Sequence, residues 1–209
     1  MEIHAPEQPI HTWRDVALHL GIVTIGILIA LGLENFVEWR HHQALAREAR
    51  ENIESEIRDN RGEVASFLKY VPDSRKEIDT ALQFTGKLLA RQPIHGSLNL
   101  TLHRSDLSET SWTTAQAIGA LSYMGYAEVK KYGAIYSLQS ELNNEQTRSF
   151  HDLSGVLASM NANFDGAKAS EAELRVQQDR LNSLSSGLLI ESQVSAQLLK
   201  RYDAVLTGK

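Results

Sequence analysis

The stretch Val16–Leu33 (VALHLGIVTIGILIALGL) decides the architecture, because its eighteen residues include no Asp, Glu, Lys or Arg. As a helix rising ~1.5 Å per residue it is ~27 Å long, close to the ~30 Å hydrocarbon layer of a bilayer. Trp13 stands before it, and Phe36 and Trp39 follow it, where amphipathic rings favour lipid headgroups. A core helix of a soluble protein more often shows a polar stripe or stops after roughly ten to fourteen residues. The segment reads as a transmembrane helix, with the lipid bilayer as the first partner of the chain. Ala30-Leu31-Gly32 has the small-x-small look of a signal-peptide cleavage site. However, no basic region precedes the run, the run is long, and the helix pattern continues to Arg50, so the span is expected to stay uncleaved.

The 209 residues leave enough chain beyond the span for one helical domain with its own core. The formal net charge is −5, from 21 basic and 26 acidic residues spread along the chain, which argues against a nucleic-acid surface. Cysteine is absent, so there is neither a structural disulfide nor a thiolate metal site. All four prolines lie in the first 93 residues, and nothing later forces a helix to break.

The expected fold class is all-α: one N-terminal transmembrane helix continuous with a long amphipathic helix, followed by an antiparallel helical bundle. Residues 1–12 read as a flexible arm, 13–42 as the span and its interfacial flanks, and 43–209 as the bundle domain. Past the membrane, Ala49, Ile53, Ile57, Asn60, Val64, Leu68 and Val71 recur on one helix face, with a charged face opposite. An eleven-residue repeat would suit a weakly twisted coiled coil, although packing within the chain's own bundle explains the same spacing. Pro72-Asp73-Ser74 is expected to end this helix, and Ser74-Arg75-Lys76-Glu77 matches a capping box for a second one. Residues 94–107 alternate weakly through Leu98, Leu100 and Leu102. With no second strand to pair with, they read as a loop lying on the bundle. A third helix is expected over about 111–122. A fourth follows over about 127–164, its stripe formed by Val129, Tyr132, Ile135, Leu142, Phe150, Leu153, Leu157, Met160 and Phe164. Asp165-Gly166 marks a turn. The last helix, about 170–206, has 3-4 spacing spoiled by Gln177, Glu191 and Ser195, with a kink expected at Ser185-Ser186-Gly187.

Two segments carry a resemblance. Thr24–Glu34 (TIGILIALGLE), running on into Val37-Glu38-Trp39-Arg40, resembles the membrane exit of a family of bacterial single-span membrane proteins of unknown function. Ser111–Met124 (SWTTAQAIGALSYM), followed by Tyr132 and Tyr136, is similar to the Trp-containing segment of their helical soluble part. The resemblance implies this architecture and a bacterial inner-membrane setting, and carries no activity.

No HExxH or CxxC spacing, Gly-rich phosphate loop or GxSxG elbow occurs, so no catalytic residue, cofactor site or metal site is assigned. His19, one turn into the span, reads as snorkelling to the interface, since the span offers no second haem ligand. His41 and His42 point apart on a helix and suit headgroups better than a metal. Trp112, Tyr123, Tyr126, Tyr132 and Tyr136 form the densest aromatic group. Trp112, Tyr123, Tyr132 and Tyr136 are the candidates for a partner or ligand pocket, against the simpler reading of a bundle core. Gly26 and Ala30 make a small-xxx-small step suited to span self-association and a homo-oligomer.

The leading functional expectation is a non-enzymatic, membrane-anchored scaffold or accessory subunit whose bundle docks a protein partner. The alternative is a sensor whose bundle binds a small ligand and signals through a partner, since only fifteen residues precede the span. Counting Lys and Arg, Arg14 lies before the span and Arg40, Arg47, Arg50 and Arg58 after it, which puts the bundle in the cytoplasm. The resemblance implies the periplasm, and that side is preferred.

Overall fold

The computed structural model describes residues 13–93, 99–159 and 169–208. The expected arm at 1–12, Leu98, and the turn at Asp165-Gly166 with Met160 and Phe164 lie outside them. The described residues are all-α: α1 (Trp13–Leu89), α2 (Thr110–Ala117), a 3-10 turn (Ala120–Tyr123), α3 (Tyr126–Ser159) and α4 (Glu171–Leu206). The chain divides into two compact units, Met1–Arg47 and Glu48–Lys209.

In the first unit, α1 is long and apolar enough to cross a membrane, and none of its most apolar window is buried within the protein. The one hydroxyl in residues 16–33 is satisfied inside the helix: Thr24 Oγ1 donates to the Leu20 carbonyl at 2.7 Å, as an apolar surrounding requires. Within the same helix, just past the apolar run, the Phe36 and Trp39 rings lie 6.0 Å apart. A Cβ placed on Gly26 meets nothing within 4 Å, so this face of the helix is open.

The second unit is a bundle of three long helices whose buried positions recur at alternating steps of three and four, the spacing of a heptad seam. On α1 they include Ile53, Ile57, Asn60, Val64, Phe67, Ser74, Ile78, Ala81 and Leu88. Phe67, Ile78 and Ala81 pack with Leu153 and Val156 of α3 and Leu181, Leu184 and Leu188 of α4. Ser149 to Glu191 and Ser159 to Gln177 hydrogen bonds set α3 and α4 antiparallel. Arg50 to Glu128 and Tyr136 to Glu56 contacts set α1 and α3 parallel. Parallel neighbours need a return path. Of that path the described residues 99–109 run back along α1, from Thr101 beside Ser74 and Glu77 to Ser108 beside Asn60. Seven residues thus cover about 14 helical positions, ~21 Å, which is close to full extension, and Leu100 and Leu102 pack on the core.

Pro72 does not end α1, which continues through it to Leu89. Proline removes one helical hydrogen bond and crowds the preceding turn, at ~3 kcal/mol or more. Here buried Phe67 on one side and Ile78 and Ala81 on the other hold both halves against the same core. Ser74 and Glu77, expected as a capping box, instead bond the returning chain: Ser74 Oγ donates to the Thr101 carbonyl at 3.3 Å, and the Thr101 amide donates to Glu77 Oε2 at 2.6 Å. The true capping box is at Ser170 and Glu173, opening α4. On α3 the expected stripe is buried at Tyr132, Ile135, Leu142 and Leu153, but Phe150 and Leu157 are 56% and 51% exposed while Ser149 and Val156, one position earlier, are buried. The third helix is shorter than expected, because Gly119 turns left-handed (φ 73°) and hands over to the 3-10 turn. α4 runs as one helix through Ser185-Ser186-Gly187. A Cβ on Gly187 would lie 2.6 Å from Ser149 Oγ, so glycine permits the close approach of α3 and α4.

Candidate functional site

The returning segment and α2 are held by a row of α1 side chains, and its centre is Glu56. This carboxylate is only 7% exposed, although it falls on the charged side of the sequence pattern. Oε1 accepts from the Tyr136 hydroxyl at 2.6 Å. Oε2 accepts from Ser108 Oγ at 2.9 Å and from the Ser111 amide at 2.8 Å. The Ser111 amide lies in the first turn of α2, whose own N-cap residue, Glu109, makes no side-chain cap. Glu56 therefore caps α2 from another helix, with its charge at the end where helix amides favour an anion.

Beside it, Asn60 clamps Ser108 in both directions. Its Nδ2 donates to the Ser108 carbonyl at 2.7 Å, and its Oδ1 accepts from the Ser108 amide at 2.9 Å. Gln139 Nε2 adds a second donor to that carbonyl at 3.1 Å. These bonds satisfy an extended backbone that has no strand beside it, so the expected loop on the bundle is a fastened strap.

The aromatic candidates separate. Trp112 stacks on Tyr136 with ring centroids 5.2 Å apart and planes 12° from parallel, and its indole rests 3.8 Å from where a Cβ on Gly133 would sit. Tyr132 and Tyr136 are buried. The Tyr132 hydroxyl is shared between Glu54 Oε1 at 3.3 Å and Glu128 Oε1 at 3.4 Å. Burial, then the adjoining Glu54 and Glu56 carboxylates respectively, hold the Tyr132 and Tyr136 phenols above the usual tyrosine range. Arg50 binds Glu128 with two nitrogens, at 2.5 and 2.9 Å. That bonding lowers the Glu128 carboxyl below its ordinary value and raises the Arg50 guanidinium. Tyr123 and Tyr126 are exposed on the turn before and at the start of α3. A cleft of about 310 Å³ lies against Tyr132, lined also by Glu54, Ala127, Glu128, Lys131 and Val205.

A second buried carboxylate, Glu191 on α4, was legible only as a flaw in an apolar seam. It accepts from Ser149 Oγ at 2.5 Å. Burial raises its pKa to about 7, with the Glu145 carboxylate adding to the effect and the Ser149 bond opposing it. Along the same seams Gln139 Oε1, Gln146 Oε1, Ser195 Oγ and Tyr202 Oη are buried without a protein partner. Among the described residues, no group of three or more His, Cys, Asp or Glu is placed to hold a metal ion. No protein-family model, curated protein or solved structure matches this chain.

Proposed function

We propose that this chain is a single-pass protein of a bacterial inner membrane, with its bundle in the periplasm acting as a non-enzymatic docking module for a protein partner. The observation that carries the reading is the apolar window of α1, none of which is buried within the protein. Exposing a run of this length to water is strongly unfavourable, whereas a bilayer solvates it. The docking role is supported by the way the polar groups of the bundle are used: Glu56, Asn60 and Tyr136 are engaged in fastening helices and strap to one another. The periplasmic side rests on the resemblance of the span.

Carbonate washing tests the anchor. The wild type stays with the membrane, and Ile25→Arg, which costs ~2.5–3.5 kcal/mol at mid-bilayer on insertion scales, shifts protein to the soluble fraction. Release of the wild type by carbonate alone overturns the reading. A reporter active only in the cytoplasm, fused after Lys209, is silent if the bundle is periplasmic.

A further inference from the structure

The bundle carries a second apolar surface at the turn between α2 and α3. From Thr110 to Ala127 the chain has no Asp, Glu, Lys or Arg, the same eighteen-residue charge-free length as the span itself. Yet this turn is ordered and half outward. Ala120 and Met124 are buried as its anchors, while Ile118 and Tyr126 are 54% and 84% exposed. Gly119, in the left-handed region at φ 73°, makes the turn that leaves Ile118 outside. Exposed Lys130 and Lys131 follow on the first turns of α3. The neighbouring acid Glu128 is paired with Arg50, and the two lysines outnumber the other carboxylate of the adjoining cleft, Glu54.

Aromatic and aliphatic side chains beside two lysines, which outnumber the one adjoining carboxylate outside the Arg50 pair, match the headgroup layer of an anionic bilayer. Reach supports the same occupant. Glu128 is bonded to Arg50, and Arg50 is only ten positions beyond Arg40 at the end of the span. Chain contour alone keeps those positions within ~35 Å, so a bilayer is always at high effective concentration. We propose that the turn Ile118–Tyr126, with Lys130 and Lys131, is a membrane-contact surface that seats the bundle on anionic lipid headgroups. This rests on the transmembrane reading of α1.

The absence of cysteine makes a single-label test clean. Full-length protein carrying an environment-sensitive fluorophore at Ser122→Cys, in the exposed turn, is reconstituted in nanodiscs of neutral or of mixed neutral and anionic lipid. Ser183→Cys on α4 serves as the water-exposed control and Ile25→Cys as the span control. The expected result is a blue shift at position 122 and quenching by lipid-attached nitroxide, both stronger with anionic lipid and absent at position 183. Lys130→Gln and Lys131→Gln each weaken the contact equilibrium roughly fivefold. If position 122 is quenched by aqueous iodide as fully as position 183, while position 25 remains lipid-quenched, the contact surface is refuted and the span stands. If position 25 is itself accessible to iodide, the span reading fails and takes the proposal with it. Protection of position 122 from iodide without lipid quenching marks a protein occupant and also overturns the proposal.

Discussion

Replacing Glu191 by Gln tests whether the bundle holds a proton at neutral pH. In the folded chain the carboxyl titrates at about 7 rather than 4.5, chiefly because burial disfavours its charge. The folded form therefore binds the proton more tightly than the unfolded form. Below about pH 4.5 the group is neutral in both states and carries no penalty. Above about pH 7 it is charged in both, and the full cost of the buried charge is present. Stability from this group must fall as pH rises between those limits. From 4.5 to about 7, at about 1.4 kcal/mol per pH unit, the loss is about 3 kcal/mol. Gln keeps an oxygen for the Ser149 hydroxyl but adds two donors, whose burial costs ~1 kcal/mol. Glu191→Gln should thus be ~2 kcal/mol more stable than wild type at pH 8, or ~4–8 °C in Tm at ~2–4 °C per kcal/mol. Near pH 4.5 it should be no more stable than wild type. The assay is thermal unfolding of the full chain in detergent, followed by far-ultraviolet circular dichroism across that range. Wild type and variant share every other titrating group, so their difference isolates this one. A difference in Tm that does not change with pH would refute the reasoning.

Gly187→Ala places a Cβ 2.6 Å from Ser149 Oγ and should cost ~1–3 kcal/mol by overpacking. Adding Ser149→Ala should recover most of that cost in denaturant melts, a non-additivity expected of groups in contact. Trp112→Ala removes the ring stacked on Tyr136 and should cost ~3 kcal/mol. A melting temperature unchanged by the substitution would count against the core reading. Gly26→Ile should lower the yield of in-membrane crosslinking between copies by blocking close helix approach, and an unchanged yield removes the self-association hypothesis.

Most of the architecture was legible because it rests on periodicity and on one uninterrupted apolar run. What was not legible turned on tertiary competition. The same Ser-x-x-Glu motif occurs at Ser74 to Glu77 and at Ser170 to Glu173. Only the second caps a helix, because the first lies where core contacts on both sides of Pro72 outweigh the local stop signal. Phe150 and Leu157 were read inward because they are large and apolar. The 3-4 seam instead selects Ser149 and Val156, one position earlier, and hydrophobicity alone cannot resolve a one-residue phase when polar residues share the seam. Glu56 carried no signal of burial. Its role appears only when Tyr136, 80 residues away in sequence, and the first turn of α2 arrive beside it.

The strap has a consequence for how the bundle opens. In a sheet or helix each amide is protected by a cooperative ladder, but at Thr101 and Ser108 the amides are guarded by single side chains, Glu77 and Asn60. Such a segment can peel away without unwinding any helix, and the expected outcome in native-state exchange is a separate low-energy opening unit. Its amides should exchange ahead of the α3 and α4 cores, with the Ser111 amide on Glu56 slower than the Thr101 amide on the more exposed Glu77. The bundle then has an order of disassembly, from the strap inward, written in which α1 side chains are buried.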